Sequence, residues 1–474
     1  MTKEIVKVGN QTLDKYQLKA VKSNAKNLLV IAGAGSGKTL TIVGKIKYLL
    51  SKGIFPNEIL CLTFTKAAAQ SLENRLKKEN INMKVHTFHS LGYSFVKNKL
   101  KINLTQDSTL NSVVEKTIKE TDLNNYFYQK ITSKNYKFYK EKLKETLNRF
   151  ITLYKTNNYQ LTDFALFRKQ NHKQNDIYQY SKHDNFLSLA KKNLVNYQKH
   201  LFKNSEIDYA DMINLAIKII DKTTNLNYKY IIIDEYQDTS LNKCTLIKSI
   251  INKTKAKLMV VGDDWQSIYS FTGSNLNIFT NFQKYFPHPK KIYLKNTYRN
   301  SQELLTLTRK FIIKNPNQLS KKLLSHKHLQ HPIQIIYYEK DLTEVWPYIL
   351  SQTKNSQTYV IGRNNKDIHQ IPYMSDNMQY LTIHKSKGLE ADKIVLINLE
   401  DNYDSLPNKT VENEFLKYVS PSLDDYPYAE ERRLFYVALT RTKTINYLLV
   451  KKDNPSVFVN ELLRLCPNNI EIIQ

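Results

Sequence analysis

Residues 28–39 read Leu28-Leu29-Val30-Ile31-Ala32-Gly33-Ala34-Gly35-Ser36-Gly37-Lys38-Thr39, and a helical pattern continues over residues 40–50. An apolar run, a turn of small residues and an amphipathic helix follow one another in the order of a phosphate-binding loop. Glycines let successive backbone N–H groups turn toward an anion at the positive end of the following helix. The candidate phosphate contacts are therefore Ala34, Gly35, Ser36, Gly37, Lys38, Thr39 and Leu40. Lys38 is placed to reach the β- and γ-phosphates of a nucleotide and Thr39 to ligate Mg²⁺. The strict form of the pattern has Gly where this chain has Ala32. Glycine is scarce, 11 in 474 residues, so three within five positions, at Gly33, Gly35 and Gly37, is not a matter of composition.

Such a loop needs a second, acidic site. Tyr230-Ile231-Ile232-Ile233 runs into Asp234-Glu235-Tyr236-Gln237-Asp238, which puts two acids at the C-terminal end of an apolar strand, where open α/β sheets bind ligands. Asp234 suits a metal ion held through water, and Glu235 suits a general base acting on an attacking water. Other apolar runs fall at residues 59–63, 258–261, 359–361, 393–399 and 445–450. Alternating with helical stretches, they predict α/β layering with parallel sheets. One group ends near 282 and the next begins near Lys291. Over 96–205 strand-like runs vanish and apolar residues recur at helical spacing, as in Leu143, Leu147, Phe150, Ile151 and Tyr154. The expected layout is a first domain of residues 1–95 and 206–282, a helical insertion over 96–205, and a second domain over 283–467.

Lys and Arg total 71 against 43 Asp and Glu, a net charge of +28. That balance suits a polyanionic partner, but only 10 of the 71 are Arg. A Lys excess beside abundant Asn, Ile and Tyr equally fits compositional drift. Cys61, Cys244 and Cys466 stand far apart and lack any Cys/His spacing for zinc. With no secretory h-region and no apolar run near 18 residues, the expectation is a cytoplasmic protein without disulfides or membrane contact.

Asp-Glu-x-Gln-Asp together with the phosphate loop resembles the UvrD/Rep-like superfamily 1A helicases, and the other blocks of that family follow in order. Residues 13–21 resemble the Q motif, in which Gln17 would read adenine. Residues 62–69 and 87–90 resemble motifs Ia and Ib, implying that Phe64, Thr65, Lys66, Thr87 and His89 line a single-stranded DNA path. Residues 261–269 resemble motif III, with Gln266 sensing the γ-phosphate and Phe271 just beyond on the DNA side. Residues 296–299 resemble motif IV, with Tyr298 stacking on adenine and Arg299 contacting the γ-phosphate. Residues 381–390 resemble motif V, with Thr382 and His384 toward DNA and Glu390 toward the ribose. Residues 430–441 resemble motif VI, whose Arg441 would be a second arginine finger.

This resemblance implies two RecA-like P-loop domains, with the helical insertion (1B) in the first, and an ATP- and Mg²⁺-dependent motor with Lys38, Glu235, Gln266, Arg299 and Arg441 catalytic. It further implies 3′→5′ movement on single-stranded DNA, tailed duplexes as substrates, and work beside repair, recombination or replication proteins. An ATP-driven remodeller of a nucleic-acid enzyme and the motor of a nuclease complex are the alternatives. Asp263-Asp264-Trp265-Gln266, Asp425-Tyr426-Pro427 and residues 454–459 are similar to the helicase IV branch of the family, without that branch's additional N-terminal region. Three departures stand out. Lys66 comes one place earlier than the family's usual Asn-Lys, Phe271 and Thr272 replace a usual Trp and Arg, and the 18 residues from Arg363 to Leu381 leave no room for the large 2B subdomain.

Overall fold

The computed structural model describes residues 7–473 except 98, 100, 101, 107, 122–132, 173–175, 410–413, 421–423 and 425; side chains are described outside these and 133–136. Two six-stranded parallel sheets organise the chain. The first contains β1 (Asn27–Ile31), β2 (Ile59–Thr63), β3 (Val85–Thr87), β4 (Tyr230–Ile233), β5 (Lys257–Gly262) and β6 (Lys290–Tyr293), in the order β6-β1-β5-β4-β2-β3. The second contains β7 (Ile333–Tyr338), β8 (Thr358–Gly362), β9 (Met378–Thr382), β10 (Lys393–Leu396), β11 (Asn446–Lys451) and β12 (Ile470–Ile473), in the order β9-β8-β10-β11-β7-β12. These are two RecA-like α/β domains.

The inner strands are largely apolar because helices cover both faces of each sheet. Leu29 and Ile31 point into one core layer and Leu28 and Val30 into the opposite one. Tyr447 and Leu449 likewise alternate with Leu448 and Val450 between the two layers of the second sheet. Two strands lie beyond the expected boundaries. β6 pairs in register with β1, Lys290 beside Leu28 and Tyr293 beside Ile31, so the first domain runs on past residue 282. Sequence reading ended it early because an edge strand carrying Lys290 and Lys291 has no continuous apolar signature. The second sheet likewise takes in Ile470–Ile473, beyond residue 467.

β8 and β9 are direct neighbours, joined by residues 363–377, which include a short 3-10 stretch, Asn365–Gln370. The insertion leaves after the helix Phe88–Lys97 and returns before the helix Tyr209–Lys222, two helices that pack together. Its neck is a short parallel pair, Asn103–Leu104 beside Glu206–Ile207. Lys155, at the C-terminal end of the helix Ser133–Thr156, pairs with Asp211 at 2.7 Å and with Asp208. Phe150, Phe164, Phe167 and Phe186 form the core of the insertion, and Leu416, Tyr418 and Val419 of the second domain enter it. Phe415 stacks on Phe186 at 4.1 Å between ring centroids. The three cysteines are buried and free. No helix among the described residues is long and apolar enough to cross a membrane.

Candidate ATP site and nucleic-acid path

β1 ends in the loop at Ala32, and the helix Lys38–Ser51 starts directly after Gly37. Gly35 and Gly37 have φ of 69° and 77°, a backbone region open to glycine at no steric cost. Ala32 is not among the positive-φ residues, so the departure from the strict pattern needs no glycine. A side chain at Gly35 would also collide with Arg299, whose Cβ would lie 2.6 Å from the added carbon. The loop is clasped by the segment beyond β6. Thr297 Oγ1 donates to the Ala34 carbonyl at 2.7 Å, and Tyr298 N donates to the Gly35 carbonyl at 3.0 Å.

Asp234 and Glu235 follow β4 as the sequence requires, and Glu235 adopts the left-handed region with φ of 50°. That turn aims its carboxylate at Lys38, 2.7 Å away. Gln237 Nε2 donates to the other Glu235 oxygen at 2.6 Å. Burial opposes the charge on Glu235, yet Lys38 and Lys387 outweigh it and hold its pKa well below the ordinary carboxylate value. Asp234 is raised instead, by burial and by the Glu235 charge beside it. Burial opposes the charge on Lys38 as well, but Glu235, Asp234 and Asp263 overcome it and its pKa rises. One ionised carboxylate is thus secured next to the loop.

The second domain reaches this site directly. Arg441, almost fully buried, donates to Gln266 Oε1 at 3.0 Å and to the Val437 carbonyl at 2.8 Å. Its pKa is lowered to about 9 by burial and by the neighbouring charge of Arg299. Lys387 bonds Asp238 at 2.5 Å and the Gln266 carbonyl at 2.8 Å, and Arg433 donates to the Ser267 carbonyl at 2.6 Å. Ile268 is built into the second domain's core. Residues 266–268 therefore serve both domains at once.

The remaining ATP-side candidates are spread around the loop. Arg299 Nε donates to Glu390 at 2.7 Å and its Nη1 to the Thr440 carbonyl at 3.2 Å. Tyr298 is half exposed, and its hydroxyl donates to Asp14 at 2.8 Å. Gln17 is buried. Its amide donates to the Ser36 carbonyl at 3.1 Å and its oxygen accepts from Asp14 N at 3.0 Å, closing a capping box on the helix Lys15–Val21. Both ends of this side chain hold protein in place. Thr39 lies in the first turn of the loop helix. Its hydroxyl and the Asp234 carboxylate are hard oxygen donors that fit Mg²⁺, an ion that takes few protein ligands beside water and phosphate.

Across the C-terminal edges of the sheets runs an aromatic and cationic path. Phe64 stacks near Tyr269 at 5.9 Å, with Lys243 over its ring at 4.1 Å. Tyr269 continues to Phe271 and His384, at 6.0 and 6.1 Å. Phe271 is 45 % exposed. Phe271 and His384 also line a cleft of about 970 Å³ bounded by Lys142 and Arg149 of the insertion and by Arg363 and Lys409 of the second domain. His89 packs on Tyr209 at 5.0 Å. Lys66 is exposed, while Thr65 caps the helix Lys66–Lys78 by accepting from Ala68 N. Thr87 and Thr382 are both buried, and their hydroxyls accept from Ser90 N and Lys385 N. These two position turns rather than present a side chain to solvent. Trp265 is buried behind the loop in a cluster with Ala34 and Tyr436. Asp425, quoted from the sequence before motif VI, lies outside the described residues.

Sequence reasoning singled out neither Lys387 nor Tyr269, although both lay inside quoted blocks; Lys387 finds Asp238 and Gln266, and Tyr269 finds His384, in the opposite domain. Lys243 and Lys321 had no sequence signal at all.

A phosphate loop, a neighbouring acid pair and arginines delivered by a second RecA-like domain define a two-domain P-loop NTPase. Residues 13–287 match the UvrD/REP helicase N-terminal domain, and residues 365–452 match the UvrD-like helicase C-terminal domain. The chain belongs to the UvrD/REP helicase family. It is 26% identical to DNA helicase IV of Escherichia coli K12, over 97% of this chain and 71% of that protein. It is 28% identical to the ATP-dependent DNA helicase Rep of Buchnera aphidicola subsp. Acyrthosiphon pisum, over 83% of this chain and 62% of Rep. To the ATP-dependent DNA helicase PcrA of Staphylococcus aureus strain Mu50 it is 27% identical, over 80% of this chain and 52% of PcrA.

Proposed function

We propose that this chain is an ATP-driven motor that moves 3′→5′ along single-stranded DNA and opens tailed duplexes during repair, recombination or replication, in the cytoplasm. The observation that carries the reading is the 3.0 Å bond between Arg441 and Gln266, which joins the second domain to the Asp263–Gln266 turn after β5 of the first. The loop amides and Lys38 bind the β- and γ-phosphates of ATP, and Gln17, Tyr298 and Glu390 surround its nucleoside. Glu235 takes the proton from the attacking water. Gln266, Arg299 and Arg441 stabilise the charge on the transferred phosphoryl group, an arrangement worth about 10³ to 10⁵ in rate per arginine finger. Mg²⁺, held by Thr39 and Asp234, would neutralise phosphate charge. Hydrolysis then depends on closure of the two domains.

DNA lies along Phe64, Tyr269, Phe271 and His384, flanked by Lys66 and His89. Stacking on such rings is tolerant of sequence, and lysines supply affinity for the backbone. The test is ATP turnover with and without single-stranded DNA, followed by strand displacement on 3′-tailed and 5′-tailed duplexes. The expected result is stimulated turnover with displacement of the 3′-tailed substrate alone. Turnover indifferent to DNA would replace this reading with a remodeller or a partner-dependent motor.

A further inference from the structure

Lys321 lies in the chain between β6 and β7, outside every block quoted from the sequence, yet its ammonium group is almost fully buried. It donates to the carbonyl of Ala32, the first residue of the phosphate loop, at 3.0 Å. It pairs with Asp264 at 2.7 Å and with Asp263, and stands 4.4 Å from the Trp265 ring centroid. An ammonium has three protons, and these three oxygens take them. Both carboxylates are wholly buried.

Asp263 leads onward to the chemistry. Its Oδ2 accepts from Gln266 Nε2 at 2.5 Å, and Gln266 Oε1 accepts from Arg441 at 3.0 Å. A carboxamide has one donor end and one acceptor end. An ionised carboxylate only accepts and a guanidinium only donates, so the NH₂ end of Gln266 faces Asp263 and its oxygen faces the arginine. Asp264 steadies the same unit from behind, accepting from Leu319 N at 2.7 Å.

We infer that Lys321 is a positioning residue for ATP hydrolysis: by tying the start of the phosphate loop to Asp263 and Asp264, it fixes where Asp263 holds the Gln266 carboxamide against Arg441. This rests on the ATPase reading above. Lys321 touches no reacting atom; it acts through Asp263 and Gln266.

The test compares Lys321→Met, Lys321→Arg, Asp264→Asn and Lys321→Met/Asp264→Asn in the full chain, reading kcat and KM for ATP, melting temperature and affinity for a labelled oligonucleotide. Removing the lysine leaves two buried acids without a cation, so Lys321→Met lowers the melting temperature; the double variant removes one of those charges and restores most of it. A misplaced carboxamide costs catalysis rather than binding. Thus kcat falls about 10- to 100-fold in both Met variants, KM and oligonucleotide affinity stay near wild type, and Lys321→Arg, which keeps the charge, recovers part of kcat. Recovery of kcat together with melting temperature in the double variant would reduce Lys321 to a structural ion pair and overturn the inference. An unchanged kcat in Lys321→Met would do the same. Turnover is read without DNA as well as with it, so loss of DNA stimulation in the wild type would strike the motor reading while leaving this comparison intact.

Discussion

Glu235 is a non-glycine residue in the left-handed region, a conformation that costs on the order of 1 to 3 kcal/mol and persists where surrounding structure enforces it. Here the turn delivers its carboxylate to Lys38. Substituting Glu235→Gln keeps the shape and removes the proposed base. ATP binding should persist while turnover falls by about 10² to 10⁴, the usual worth of a general base, as read by a filter-binding assay beside phosphate release. Lys38→Ala should abolish turnover in the same assay. Normal turnover by the Gln variant would remove Glu235 as the base.

The two histidines of the proposed nucleic-acid path behave differently from the lysines around them. Burial, helped by Lys243 for His89 and by Arg363 for His384, lowers both pKa values to about 4 from 6.5. They are neutral rings at physiological pH and add no counterion release. His384→Gln should therefore leave the salt dependence of oligonucleotide binding unchanged. Because the folded state resists protonating them, their contribution to stability is complete above pH 6.5 and is lost as pH falls toward 4. Melting temperatures measured across that window should drop less steeply in His89→Gln and His384→Gln than in the wild type.

At the scale of elements, the segment 414–420 belongs to the second domain by sequence and to the insertion by packing. Leu416 and Tyr418 are buried among the aromatic rings of the insertion, Asn157 donates to the Val419 carbonyl at 2.9 Å, and His183 meets Glu414 at 3.1 Å. Leu416→Ala should cost about 2 to 5 kcal/mol in a denaturant titration, and should loosen the insertion from the second domain as read by limited proteolysis. Unaltered stability would show that the segment only rests on the insertion. Sequence periodicity found the helical insertion because Leu143, Leu147, Phe150, Ile151 and Tyr154 keep one face apolar. It could not find the docking segment, whose apolar residues gain a partner only from a helix more than 200 positions away. β3 and β6 escaped for related reasons: one is short and the other begins with two lysines at a sheet edge.

On the scale of the whole molecule, Arg441, Lys387 and Arg433 all cross from the second domain to residues 238 and 266–267 of the first. Arg441→Ala should lower DNA-stimulated turnover by about 10³ or more while affinity for single-stranded DNA, followed by fluorescence anisotropy, stays near wild type. Equal loss of both would indicate a folding defect rather than a missing finger.

The sequence alone determined the phosphate loop, the acid pair after β4, the α/β layering and the resemblance to the UvrD/REP family. Each is carried by neighbouring residues, whose spacing directly encodes turn, strand and charge. Only the tertiary structure decided that Gln17 braces the loop, that Thr87 and Thr382 are buried caps, that Tyr269 bridges Phe64 and His384, and that Lys321 stands between Ala32 and the Asp263/Asp264 pair. Those roles depend on which distant chain fills a given buried space and which polar groups must be satisfied there. Burial and hydrogen-bond pairing are properties of the closed molecule, and no local spacing of residues encodes them.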